Sequence, residues 1–256
     1  MQKKHLADVK YFAPLQILCG GADAINKEMG VTKIVNLYQG DCLEVLKTLP
    51  DNSVDLLLID PPYGIDFQSK HHNDKTKRKP KILNDKKPFT DFIPLIKSKI
   101  AKTGGILCFT RWDVQQIFID EFIRNGLKPK NVLIWDKKSH SMGDLKKAFG
   151  SRYESIIWIP NDDFKFKNGR PQDLISVPRV PPCKLIHPNE KPVELLEFLI
   201  KKITSQNATV LDCFMGSGST GIACINTNRD FIGVELDEKY YKIAEERINS
   251  AIKQTA

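Results

Sequence analysis

Strand-like and helix-like stretches alternate along most of the chain, which predicts an α/β fold with a mostly parallel, doubly wound sheet covered by helices on both faces. Two stretches carry the prediction. Leu56-Leu57-Leu58-Ile59 is an uninterrupted aliphatic run, as expected of a strand buried on both faces. It stops at Asp60-Pro61-Pro62-Tyr63-Gly64, because two successive prolines donate no N–H to a ladder. Thr209 to Phe214 reads as a second strand, and Gly216-Ser217-Gly218-Ser219-Thr220-Gly221 follows it and opens a helix. Ligands of open α/β sheets bind at the carboxyl ends of strands, so both turns are candidate site elements.

The remaining elements follow the same periodicities. Leu15, Ile17 and Leu18 suggest a short strand, and Ala22 to Met29 a helix ending at Gly30; residues 1–32 receive no role. Lys33 to Leu37 reads as a strand. Asp41 is a suitable N-cap for a helix whose apolar face is Leu43, Leu46 and Leu49 and which ends before Pro50. Phe92, Ile93, Ile96 and Ile100 predict one helix; Val114, Ile117, Phe118 and Phe122 predict another that stops at Gly126. Between these helices lies the strand Ile106 to Phe109, and Asn131 to Trp135 and Ser155 to Ile159 read as two more strands. Pro192 opens a helix with Leu195, Leu196, Leu199, Ile200 and Ile203 inward. Asp230 to Leu236 is a last strand, and a helix from Asp237 packs Tyr241, Ala244, Ile248 and Ile252. Residues 33–256 therefore read as a single domain.

With 256 residues the chain is long enough for a sizeable core, and its formal charge of +8 suits an anionic partner. No apolar run approaches the ~20 residues of a membrane span, and the first residues lack a basic-then-apolar leader pattern, so no membrane association and a cytoplasmic protein are expected. The six cysteines (Cys19, Cys42, Cys108, Cys183, Cys213 and Cys224) form no CxxC pair, which favours buried thiols over disulfides or a zinc site. His71-His72 with Asp74 is a poor chelating set, so no metal is predicted. Two segments break the regular pattern. Residues 65–88 hold eight Lys or Arg against three Asp, and a loop of that length inside a compact domain is usually functional or disordered. The second, 137–186, is glycine-, proline- and lysine-punctuated.

The glycine turn matches a dinucleotide fingerprint, with Glu235 where a ribose-binding acid would stand. Glycines let backbone N–H groups approach a ligand, and a carboxylate accepts from two ribose hydroxyls. Only one strand and one helix follow the motif, however, so a second mononucleotide half would have to come from the earlier chain. A ligand with a single nucleoside fits better.

Taken together, these motifs resemble the amino-methyltransferases of bacterial DNA modification, specifically the permuted group called the β class. Asp60-Pro61-Pro62-Tyr63 is similar to the family's catalytic tetrapeptide, and Val210-Leu211-Asp212-Cys213-Phe214-Met215-Gly216-Ser217-Gly218-Ser219-Thr220 to its S-adenosylmethionine loop. His187-Pro188-Asn189-Glu190-Lys191-Pro192 resembles the segment just upstream of that loop. The resemblance covers about 33–64 and 187–248, with Cys213 standing where the family's loop usually has proline. It implies a Rossmann-like class I methyltransferase fold with a permuted motif order and a small inserted DNA-recognition region.

The resemblance also implies roles. Asp60 and the Pro61 carbonyl, held rigid with Pro62, would accept from the two N–H bonds of an exocyclic base amine, with Tyr63 stacking on a base flipped out of duplex DNA. Glu235 would bind the ribose of S-adenosylmethionine and Asp41, beside Cys42, its adenine. Lys191, Gly216, Ser217, Gly218, Ser219 and Thr220 would lie toward the methionine end, and His187, Asp212 and Phe214 complete the cofactor set. Lys75, Lys77, Arg78, Lys79 and Lys81 would contact phosphates, with 137–186 sharing target recognition. Because the family tends to begin its tetrapeptide with Asp or Asn for adenine and Ser for cytosine, adenine N6 is the expected target and cytosine N4 the alternative. A catalytically silent DNA-binding protein of the same fold is the rival from another class. A homodimer and a cognate restriction endonuclease are partners that the resemblance suggests.

Overall fold

The computed structural model describes residues 15–17, 33–64, 87–140, 146–166 and 169–255. Among them one nine-stranded sheet organises the chain, in the order β1-β2-β9-β8-β3-β4-β6-β5-β7. Its strands are β1 (Leu15–Ile17), β2 (Val35–Gln39), β3 (Val54–Ile59), β4 (Ile100–Thr110), β5 (Asn131–Asp136), β6 (Tyr153–Pro160), β7 (Leu174–Ser176), β8 (Thr209–Asp212) and β9 (Asp230–Glu235). The helices are α1 (Cys42–Thr48), α2 (Ile93–Ile96), α3 (Gln115–Arg124), α4 (Val193–Ile203), α5 (Ser219–Thr227) and α6 (Glu238–Thr255). From β2 through β4 every neighbouring pair is parallel, whereas β6 runs antiparallel to both β4 and β5.

The strand alternation splits the core into two layers. Leu56 and Leu58 of β3 face a cluster with Leu195 and Leu199 of α4, Ala223 of α5 and Ile248 of α6. Leu57 and Ile59 face the opposite one, with Leu46 of α1, Ile96 of α2 and Phe118 of α3. Neighbouring Cβ atoms on a strand point to opposite faces, so an unbroken apolar run is what a strand covered on both sides requires. Order reverses between β8 and β3. From β8 the chain crosses through α5 to β9 on one side, and from β3 it proceeds to β4 on the other.

Most expected elements form, with three departures. The helix expected through Ile100 is a single turn ending at Ile96, and Ile100 instead pairs with Val54 as the first residue of β4. Gly105 is the next β4 residue in register, opposite Leu56, so the strand carries a bulge there. Within 137–186, Leu174–Ser176 adds a parallel edge strand to β5. Cys183 is exposed, whereas Cys42, Cys108, Cys213 and Cys224 are buried thiols as expected.

The third glycine of the turn has a packing role. A Cβ on Gly221 would lie 2.4 Å from Ile248 Cδ1 and 2.9 Å from Phe231, so α5 can sit against α6 and β9 only without a side chain there. Gly221→Ala overpacks this contact and is expected to cost about 1–3 kcal/mol, read as a lower urea midpoint with an unchanged slope.

Candidate active site

A cleft opens at the order reversal, beyond the carboxyl ends of β3, β8 and β9. It is lined by residues from both predicted halves: Asp41, Cys42, Asp60, Pro61 and Pro62 from the first, and His187, Lys191, Asp212, Phe214, Gly216, Ser217, Ser219, Thr220 and Glu235 from the second. Pairing of β3 with β8 (Leu57 opposite Leu211) brings Asp60, just past the end of β3, and Asp212, the last residue of β8, to the same edge of the sheet. Pairing of β2 with β9 (Gln39 opposite Glu235) brings Asp41, two residues past β2, to the same edge as Glu235, closed by the Gly40 N–H donating to the Glu235 carbonyl at 2.9 Å.

The glycine turn is built around carboxylates. Gly216 and Gly218 adopt φ of 51° and 82°, the left-handed region that favours glycine. Oε2 of Glu235 accepts from Gly216 N–H at 2.9 Å and Oε1 from Asp237 N–H at 2.8 Å. Each carboxylate oxygen keeps a further lone pair for a ligand hydroxyl. Burial raises the Glu235 carboxyl. Asp41 caps α1, its Oδ1 accepting from Leu43 N–H at 2.9 Å, and also borders the cleft. Asp212 accepts from Phe214 N–H at 3.0 Å and from the Thr220 hydroxyl at 2.6 Å, and burial pushes it up to about 7.

The segment upstream of α4 is fastened to this turn. Glu190 Oε1 accepts from Arg247 at 2.8 Å, Arg247 also donates to the Ser217 carbonyl at 2.7 Å, and Glu190 Oε2 accepts from Ile186 N–H at 2.8 Å. The His187 ring stands edge-on to Tyr240, with centroids 4.4 Å apart. Neither Glu190, which lies inside the segment 187–192, nor Arg247 receives a role from the sequence.

At the tetrapeptide, Lys191 Nζ lies 2.7 Å from Asp60 Oδ2, 3.0 Å from Glu154 Oε2 and 5.0 Å from the centroid of the Phe109 ring. Lys191, expected toward the methionine end of a cofactor, is thus joined directly to the acid of the tetrapeptide. Burial raises the Asp60 carboxyl, an effect that Lys191 opposes and Glu154 reinforces. Burial works against the Lys191 ammonium, yet the two carboxylates hold it above the usual lysine range. Tyr63 differs from expectation. Its ring is buried in the core instead of lining the cleft, and its hydroxyl donates to Asp60 Oδ1.

The turn also anchors the basic segment. Phe89 N–H donates to the Pro62 carbonyl at 3.0 Å, and Tyr63 bridges Pro88. Gly64, with φ of 79°, packs so tightly that a Cβ would lie 2.5 Å from the Lys87 carbonyl carbon. Lys75, Lys77, Arg78, Lys79 and Lys81 lie outside the described residues, but the two ends of their segment meet at the tetrapeptide.

This geometry is shared. The N6/N4 DNA methylase family model matches residues 54–179 and 170–246, spanning both turns and the segment between them. The chain belongs to the N6/N4 DNA methylase family. Type II methyltransferase M2.MboI of Moraxella bovis is 28% identical over 243 residues, covering 84% of this chain and 88% of its own length. DNA adenine methyltransferase YhdJ of Escherichia coli K12 is 27% identical over 257 residues, covering 86% of this chain and 84% of its own. The crystal structure of an M1.HpyAVI–SAM complex superposes with a TM-score of 0.63 at 25% identity, covering 83% of this chain and 99% of that one. The cytosine-N4-specific PvuII DNA methyltransferase gives 0.66 at 18% identity over 88% of this chain and 93% of its own, a likeness of fold. Among the described residues of this methylase, no helix is long and apolar enough to cross a membrane.

Asp212 makes stability depend on pH. Its folded value of about 7 exceeds the unfolded 3.8, so its contribution is full below about pH 4 and is lost as pH rises through about 7. Asp212→Asn, whose amide Thr220 can still meet as an acceptor, should remove that slope of up to about 1.4 kcal/mol per pH unit. Urea midpoints from pH 4 to 8 would show the variant gaining on the parent.

Proposed function

We propose that this methylase transfers a methyl group from S-adenosylmethionine to the N6 amino group of an adenine flipped out of duplex DNA. The observation that carries the reading is the single cleft holding Asp60 at one strand end and Glu235 with the glycine turn at the neighbouring ones. Its charge selects among nucleoside ligands. Asp41, Asp60, Glu190, Asp212, Glu235 and Asp237 line it against one lysine, Lys191, so a pyrophosphate would meet carboxylates and a sulfonium cation would be welcomed. Glu235 would accept from ribose hydroxyls, Asp41 from an adenine amino group, and Phe214 would offer an apolar wall, a reading supported by their lining one cleft. The bound cofactor would supply an electrophilic methyl on a positively charged sulfur.

An exocyclic base amine is a weak nucleophile because its lone pair is delocalised into the ring. Asp60 and the Pro61 carbonyl accept from its two N–H bonds and stabilise positive charge as it gathers on nitrogen. The prolines and the Phe89–Pro62 bond hold these acceptors in place, so positioning lowers the barrier before the methyl moves. Tyr63 would have to leave Asp60 before its ring could stack on a base. Adenine is favoured because Asp heads the tetrapeptide and because the chain is similar to YhdJ, whose name carries adenine. Cytosine N4 is the second reading, since the matched family takes in both atoms.

Single-molecule sequencing of DNA from cells expressing the chain should show N6-methyladenine in one short motif; N4-methylcytosine would move the assignment to the second reading, and unmodified DNA would overturn both. Asp60→Ala should lower labelled-methyl transfer by roughly 100-fold or more, the scale of removing one transition-state hydrogen bond, while cofactor affinity by calorimetry stays within about twofold. For the basic segment, changing Lys77, Arg78 and Lys79 to Gln should flatten the salt dependence of DNA binding by about 0.9 in log–log slope for each phosphate no longer neutralised.

A further inference from the structure

Beyond Asp60, its ammonium partner has a second carboxylate. Glu154 begins β6 next to Tyr153, in a strand antiparallel to β4, which brings it to the catalytic edge of the sheet. Its Oε2 is buried, with the Lys191 ammonium at 3.0 Å. Its Oε1 accepts from Lys137 Nζ at 3.3 Å. The order outward from the tetrapeptide is therefore Asp60, Lys191, Glu154, Lys137, with charge alternating at each step.

We propose that Glu154 is a positioning residue for methyl transfer: by sharing the Lys191 ammonium it stops that cation from cancelling the charge of Asp60 at the place where the amine nitrogen becomes positive. The inference rests on the methyl-transfer reading for its catalytic consequence, but not for its electrostatics. A lysine that belonged wholly to Asp60 would make a neutral pair, and a neutral pair is a poor partner for developing positive charge. Because Glu154 shares that ammonium, the negative charge of Asp60 is only partly offset inside a desolvated site, where charge counts most. Phe109 contributes in the same direction, because its ring face holds the ammonium 5.0 Å away on another side. Lys137 draws on the outer oxygen of Glu154 and so balances the far end of the chain of charges.

The groups facing Asp60 come from every element around it: Tyr63 from its own turn, Cys108 of β4, Glu154 of β6, Lys191 before α4 and Asp212 of β8. Of these, Lys191 is the cation. Removing the charge of Glu154 leaves that cation to Asp60 alone and makes Asp60 a weaker acceptor.

The test has an arm that does not need turnover. The Asp60 carboxyl is followed by carbon-13 NMR across pH in the full chain without DNA, assigned by loss of the signal in Asp60→Asn. Glu154→Gln, nearly isosteric, should lower its midpoint by about one pH unit, and Lys191→Met should raise it by a similar amount. In single-turnover transfer Glu154→Gln should be slower by about tenfold or more, with cofactor affinity unchanged and the acid limb of the rate profile moved to lower pH. Glu154→Asp should recover part of the rate. An Asp60 midpoint that does not move in Glu154→Gln overturns the proposal whether or not the protein methylates DNA. A loss of rate with an unmoved acid limb makes Glu154 structural and overturns it too. If the midpoint moves as expected but the parent chain methylates no DNA, the electrostatic assignment stands and the methyl-transfer reading fails.

Discussion

The parallel pairing of β3 with β8 is the constraint on which the site depends. These strands lie about 150 positions apart in sequence, yet Leu56 stands opposite Val210 and Leu57 opposite Leu211. That register sets the proline turn level with the glycine turn. A one-residue slip would invert which side chains of β3 meet each core layer, and both layers are filled with no space to absorb it. Hydrophobic packing beneath them thus fixes the relation between two polar turns. The reversal of strand order at the same place leaves the cleft between crossovers that diverge to opposite sides, so none of the described helices covers it.

Charge is arranged against the overall balance. A chain of formal charge +8 gathers six carboxylates among the described residues of its cleft, where Lys191 is the lining lysine and Arg247 pairs with Glu190 from behind. Burying Asp60, Glu154 and Lys191 together costs desolvation that their mutual attraction only partly offsets, and such clusters persist where a particular field is needed more than stability. Asp212 adds to that cost and is met by one hydroxyl and one backbone N–H. The cationic surplus lies elsewhere in the sequence, notably in 65–88 with its eight Lys or Arg.

Much of this was legible from the sequence because the signals were local. An aliphatic run stopped by prolines, a strand entering a glycine turn, and the order of the two turns located the sheet, the cleft and most of its lining. What escaped was set by distant partners. Ile100 fits a helical face by spacing, but pairing with Val54 took it into β4, since a free sheet edge outweighs one more helical turn. Leu174–Ser176 is too short to show a period, and only the exposed edge of β5 made it a strand. Glu154 carried no motif, because its meaning comes from Lys191, which lies far along the chain and reaches it only through the fold. Tyr63 was read as a surface for a base, whereas its hydroxyl finds Asp60 and its ring the core.

The meeting of Gly64 with Lys87 bears on how such a protein diversifies. The Tyr63–Pro88 bridge and the Phe89–Pro62 bond close the described fold at one point, whatever the sequence between Gly64 and Lys87. Lengthening, shortening or exchanging the sequence between them leaves the Asp60 carboxylate where β3 puts it. A lineage can therefore vary that stretch of sequence without disturbing the strand end that holds the tetrapeptide.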